Sequence, residues 1–187
     1  MSTIIRTFGF TTLALAGLSI HAGDFAPLMR VARNTWPEKT TIGVLCDYTR
    51  SAGEVQELAE AAGPATSIRV VDIQRRDQLI QGVRCMLEHK PDYVVLLTRD
   101  HVLPDYSLEA TQAVRYLASF GVPTISTASV AMKQGAVFAL GDRTRGELLV
   151  CKQPIGTISV ALPEPQSFMA SYSNPGTPAS IQVASIR

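Results

Sequence analysis

The residues best equipped for chemistry fall in four short polar runs, each placed directly after an apolar one. Asp47-Tyr48-Thr49-Arg50-Ser51 follows TIGVLC, and Thr98-Arg99-Asp100-His101 follows YVVLL. Ser126, Thr127 and Ser129 come after VPTI, and Gly141-Asp142 after AVFAL. Tyr48 offers a ring that can stack on an apolar or aromatic ligand. Thr49 and Ser51 offer hydroxyls, and Arg50 or Arg99 can grip an anion with two parallel N–H donors. A helix starting near Ser51 would leave N–H groups able to receive a carboxylate. Asp47, Thr98, Asp100, Thr127 and Ser129 complete the candidate ligand-binding set. Each of these also reads as a solvated loop residue or a helix cap, and Ser51 is an N-cap by type.

Other chemistries find less material. Asp100, His101 and Asp105 form the one His/acid cluster near a strand end. A cation would need a third and fourth ligand that the spacing does not supply, and Asp105 reads equally as a cap for the next helix. The sequence has no nucleophile elbow, no HExxH and no P-loop. Ser126 and Ser129 have no evident His partner, since His89 falls at the end of a helix on the far side of the sheet. No catalytic residue, metal or cofactor is expected.

Positioning these loops requires a sheet, and the chain alternates between apolar runs and amphipathic stretches. Strands are expected at Thr41–Cys46, Ser67–Ile73, Tyr93–Leu97, Val122–Ile125 and Ala136–Leu140, with a last one at Thr157–Ala161. Helices are expected over Phe25–Asn34, Gly53–Ala62, Arg76–Lys90, Leu103–Phe120, Ser129–Lys133 and Arg143–Cys151. Such alternation argues for an α/β fold: a three-layer, doubly wound parallel sheet of order 2-1-3-4-5, helices on both faces. In that order ligands sit outside the carboxyl ends of the strands, where the order reverses. The crevice then falls between the loops after strands one and three. From Pro163 the texture turns Pro/Ser-rich (PEPQSF, SYSNPGTPAS), which predicts an extended or mobile tail.

The first 22 residues read as a secretory signal. Arg6 is their sole charge, and Phe8–Ile20 is an apolar run shorter than the ~20 residues a membrane span needs. Ile20-His21-Ala22 supplies a small-residue cleavage site. The expected organisation is 1–22 signal, 23–162 one Rossmann-like lobe and 163–187 tail, the product being periplasmic after cleavage near Ala22. Loss of Arg6 would leave 17 − 1 = 16 basic residues against 16 acidic ones. That balance lacks the basic face that nucleic acid requires. Cys46, Cys85 and Cys151 form no CxxC pair, and Cys46 and Cys85 read first as small buried hydrophobes. One disulfide is possible in an oxidising compartment, with no pairing preferred.

Four blocks resemble the substrate-binding proteins of ABC transporters, of the tryptophan/tyrosine type, within the type I periplasmic-binding-protein superfamily. They are FAPLMRVARNTWPEKTTIGVLCD, KPDYVVLLTRD, VPTISTASVAMKQGAVFALGDRTRGEL and CKQPIGTISV, spanning about residues 25–161. The third is the most specific. The resemblance implies a lobe whose strand-end loops face a ligand cleft. Family members have two lobes, whereas this sequence matches one, and the loop Asp47–Ser51 is bulkier and more charged than the family's small polar loop. The implied function is an exported module that binds a small solute and is no enzyme, completed by a homodimer or a membrane-protein partner. The alternative is an accessory of an envelope complex that keeps the lobe for protein contacts.

Overall fold

The computed structural model describes residues 25–104, 107–141, 147–151, 156–163 and 177–186. The expected signal peptide, Asp105 and Asp142 lie outside them. Among the described residues, seven strands form one sheet in the order β6-β5-β4-β3-β1-β2-β7. The strands are β1 (Thr41–Cys46), β2 (Ser67–Asp72), β3 (Tyr93–Leu96), β4 (Thr124–Ser126), β5 (Phe138–Leu140), β6 (Leu148–Val150) and β7 (Ser180–Ser185). All neighbours pair in parallel except β5 with β6. The helices are α1 (Phe25–Thr35), α2 (Tyr48–Ala62), α3 (Leu79–Glu88, after a 3-10 turn), α4 (Leu108–Ser119) and α5 (Ala131–Gln134). The predicted order 2-1-3-4-5 is present as the centre of this sheet.

The strands are near-continuous apolar runs because both faces are covered, which excludes water from each side. On one face Phe25, Leu28, Val31, Val55 and Leu58 of α1 and α2 pack over Ile42, Val44, Ile68, Val70 and Val95. On the other, Val83, Met86, Ala113 and Leu117 of α3 and α4 pack over Leu45, Val71 and Val94. Two glycines let α3 sit close to the sheet. A Cβ on Gly43 would lie 2.6 Å from Met86 Sδ, and one on Gly82 would lie 2.6 Å from Ile73 Cγ2. Trp36, the one tryptophan, lies between Tyr93 and Phe138 with ring centroids 5.4 and 5.3 Å away. Its Nε1 donates to the Ala161 carbonyl at 2.7 Å, which fixes the segment 156–163 against the core.

The structure corrects several local expectations. No strand forms at Thr157–Ala161: the segment instead lies along the α1/α2 side, where Ile158 and Val160 are partly buried against the core. The helix expected to end at Cys151 is replaced, in its described part, by β6. β6 runs antiparallel to β5, so the chain reverses direction without a crossover. The tail contributes an edge strand, β7, which pairs with β2 over six residues. The described part of α4 begins at Leu108 rather than Leu103, capped by Ser107 through its bond from Ala110 N.

Candidate functional site

The largest departure lies at the end of β1. The expected loop Asp47–Ser51 is the first turn of a helix: α2 starts at Tyr48, five residues before the expected Gly53. Asp47 is its N-cap, with a side chain that accepts from Arg50 N. Ser51 therefore is not the cap. Its hydroxyl donates to Asp100 Oδ2 at 2.9 Å, and both residues are buried.

This turn draws carboxylates from the protein itself. A helix N-terminus presents unpaired N–H groups and a partial positive charge. Here Asp72 Oδ1 accepts from Tyr48 N at 3.0 Å and Asp47 Oδ1 from Arg50 N at 3.3 Å. Just before the helix, Asp100 Oδ2 accepts from Asp47 N at 2.8 Å. At this helix end, where reception of a ligand carboxylate was expected, the N–H groups of Tyr48 and Arg50 thus meet carboxylates of the chain itself. Asp100, 1% exposed, also accepts from Val102 N and Leu103 N at 2.9 Å each through Oδ1. With all four donors it joins the β1–α2 turn to the loop after β3. That carboxylate is a brace between the two segments.

Beside this brace lies a half-open cleft of about 450 Å³, lined by Arg50, Ser51, Gly53, Glu54, Glu57, Arg99 and His101. Arg50, Glu54 and Glu57 recur at four and three residues along α2, so they share one helix face. The loop after β3 supplies Arg99 and His101. Gly53 has no atom within 4 Å of where a Cβ would stand, so this part of the helix is open to the cleft. His101 Nε2 lies 3.5 Å from Asp47 Oδ2, and Arg50 Nε lies 3.8 Å from the same oxygen. Glu54 Oε1 accepts from Thr98 N at 3.2 Å and from the Thr98 hydroxyl at 3.5 Å. Burial pushes the Glu54 carboxyl above its usual range, against the lowering effect of the Thr98 N–H and the Arg99 charge. The cleft thus carries both signs of charge at close quarters, at the C-terminal ends of β1 and β3.

The ten candidate residues divide accordingly. Arg50, Ser51 and Arg99 line the cleft, and Thr98 holds Glu54 in it. Asp47 and Asp100 lie beneath it as buried hydrogen-bond acceptors. Thr49 is exposed on the first turn of α2. Tyr48 is partly buried against the α1/α2 core, outside the cleft lining. Thr127, buried, and Ser129, exposed, follow β4 and are not among the lining residues either. Glu54, Glu57 and Gly53 were not singled out by sequence reasoning. Their signal was the polar stripe 50-54-57, visible once α2 begins at residue 48.

Among the described residues, no group of three or more His, Cys, Asp or Glu is placed to hold a metal ion. Cys46 and Cys85 are free thiols. Burial, then the charges of Asp100, Asp72, Asp47 and Glu54, push the Cys46 thiol well above its usual range, which suppresses the thiolate. Cys85 Sγ lies 3.8 Å from His89 Nε2, one helical turn on along α3.

No family model matches the chain, and no curated protein matches it. A solved structure described as the ABC domain in complex with L-Trp from Streptococcus pneumonia is similar in fold, with a TM-score of 0.52 at 13% identity. The match covers 73% of this chain and 51% of that one, so the chain spans about half the length of the protein it resembles. The likeness is one of fold: a mostly parallel α/β sheet flanked by helices, as in a lobe of a periplasmic binding protein.

Proposed function

We propose that the chain is a binding module for a small polar solute, received in the cleft between α2 and the loop after β3. The observation that carries this is the position of the cleft. It opens at the carboxyl ends of β1 and β3, where the strand order reverses, which is where open α/β sheets take their ligands. The fold shared with a protein that holds L-Trp supports the same class of activity. The lining narrows the chemistry. Arg50 and Arg99 suit an anionic group, Glu54 and Glu57 a cationic one, and among the described residues no Phe, Tyr or Trp lines the cleft. A compact solute carrying both charges fits better than an aromatic one. We propose further that the module is exported and serves a transporter or a sensor, as the N-terminal sequence and the resemblance to substrate-binding proteins imply.

One observation favours the accessory reading: ligand pockets are mostly apolar, and this one is charged and half open. A partner protein closing over it would then be the physiological ligand. A thermal-shift screen of the purified chain against amino acids, small carboxylates, polyamines and nucleosides separates the two. Solute binding predicts a shift with one charged class, lost in Arg99→Ala. A solute present at 100 times its Kd adds about 2.7 kcal/mol, a shift of several degrees in a domain of this size. No shift with any class would leave the accessory reading in place.

A further inference from the structure

The edge of the sheet at β7, free among the described residues, has the features of a self-pairing strand. β7 is the terminal strand among the described residues, hydrogen-bonded only toward β2. Ser180 N donates to the Thr66 carbonyl, so Ser180, Gln182 and Ala184 turn their backbone groups toward β2. Alternation then points the N–H and C=O of Ile181, Val183 and Ser185 outward. The strand is firmly presented. Ala179 N donates to the Ala59 carbonyl of α2 at 2.8 Å, and Ile186 packs over Gly82 of α3.

Edge strands are normally blunted by Lys, Pro, a bulge or extreme shortness. β7 (SIQVAS) has no charge and no proline, and it runs six residues in unbroken register with β2. At the opposite edge β6 is three residues long. Val183 is 43% exposed.

We infer that β7 pairs antiparallel with β7 of a second copy, about a two-fold axis through Gln182. A two-fold normal to the sheet keeps each side chain on its own face, so only residues of equal parity can stand opposite each other. With Gln182 opposite Gln182, Ile181 stands opposite Val183 twice, on the α1/α2 face, and Ser180 stands opposite Ala184. The outward groups of Ile181 and Val183 then exchange hydrogen bonds, and each apolar pair covers the other. A neutral strand meets no like charge in its own copy. A partner chosen for charge would find nothing on β7 to read.

The two-fold also sends the carboxyl ends of the two sheets in opposite directions. The two clefts therefore open at opposite ends of the dimer, and neither copy closes the other's cleft. Six residues a side make a small contact beside the ~1,200–2,000 Å² of stable complexes, so the association is expected to be reversible with concentration.

Sedimentation of the purified chain over a concentration series tests this. Wild type is expected to shift from monomer toward dimer. Val183→Pro, which removes an outward N–H and leaves the β2 ladder intact, is expected to stay monomeric with an unchanged circular dichroism spectrum. With Cys85 and Cys151 changed to serine, Gln182→Cys is expected to cross-link under oxidation. Opposed residues at a non-hydrogen-bonded antiparallel position have Cα atoms about 4.5 Å apart, within disulfide reach. Val183→Cys in the same background is not expected to cross-link. A wild type that stays monomeric at its highest attainable concentration overturns the inference. So does a dimer whose cross-link forms at 183, or at neither position, and this arm decides the matter even if Val183→Pro does not fold.

Discussion

At the scale of single residues, the site depends on how carboxylates are used. Asp100 has one hydrogen-bond donor in Ser51 Oγ and three in backbone N–H groups, all buried around it. Asp100→Ala strands those donors and is expected to cost about 2–4 kcal/mol in chemical denaturation, since each unpaired buried group costs ~1–3 kcal/mol and some admit water. Asp100→Asn should cost less, because an amide oxygen can still serve Val102 and Leu103 and the NH₂ can donate to the Ser51 hydroxyl, which leaves only Asp47 N–H opposed to a donor. Glu54 behaves in the opposite way. Its carboxyl is raised by burial, so the folded state favours the neutral acid. The stability this gives is fully present below the ordinary glutamate value of ~4.3 and is lost as pH rises through the raised value. Glu54→Gln is therefore expected to be more stable than wild type at neutral pH, with the difference vanishing in acid. A pH series of unfolding midpoints with an unchanging gap would contradict this. Neither role was legible from residue type. Asp100 and Asp47 read as ligand contacts because sequence shows a polar loop and not which way its carboxylates turn.

At the scale of elements, the periodic and doubly buried segments were legible, and those decided by a partner were not. β1 and the centres of β2, β3 and β5 are long apolar runs, and α2 and α3 carry regular apolar stripes. The start of α2 was missed because Tyr48 and Thr49 have weak helix propensity, and what holds it helical is the cap Asp47 with Asp72 of β2 and Asp100 of the loop after β3. β6 and β7 were missed for a related reason: β6 is short, β7 is largely exposed, and each becomes a strand through the one beside it. Packing makes a sharper demand at Gly82. Its hydrogen faces Ile73 where any Cβ would come to 2.6 Å, with Leu45 and Ile186 around it. Gly82→Val should force α3 off the sheet and destabilise by about 1–3 kcal/mol or more, read from the denaturation midpoint. Gly53, in the same type of position on α2 but with open space beyond it, should instead tolerate alanine and gain ~0.5–1 kcal/mol.

At the scale of the whole molecule, two helical layers enclose a mostly parallel sheet, and the turn after β1 meets the loop after β3 at one end. The sequence located that crevice through strand order alone, and the Arg50 and Arg99 it singled out do line it. It could not show that the Tyr48 and Arg50 N–H groups meet carboxylates of the chain itself, which makes the charged side of α2 the proposed place for the ligand. The central claim, that this cleft binds a small solute, is tested most directly by calorimetric titration of three proteins: wild type, Gly53→Ala and Gly53→Trp. The titrants are the charged amino acids and polyamines. One titrant is expected to bind wild type and Gly53→Ala alike and to fail with Gly53→Trp, whose side chain fills the cleft while its unfolding midpoint stays that of a folded domain. Equal binding by all three proteins, or by none, would contradict the account.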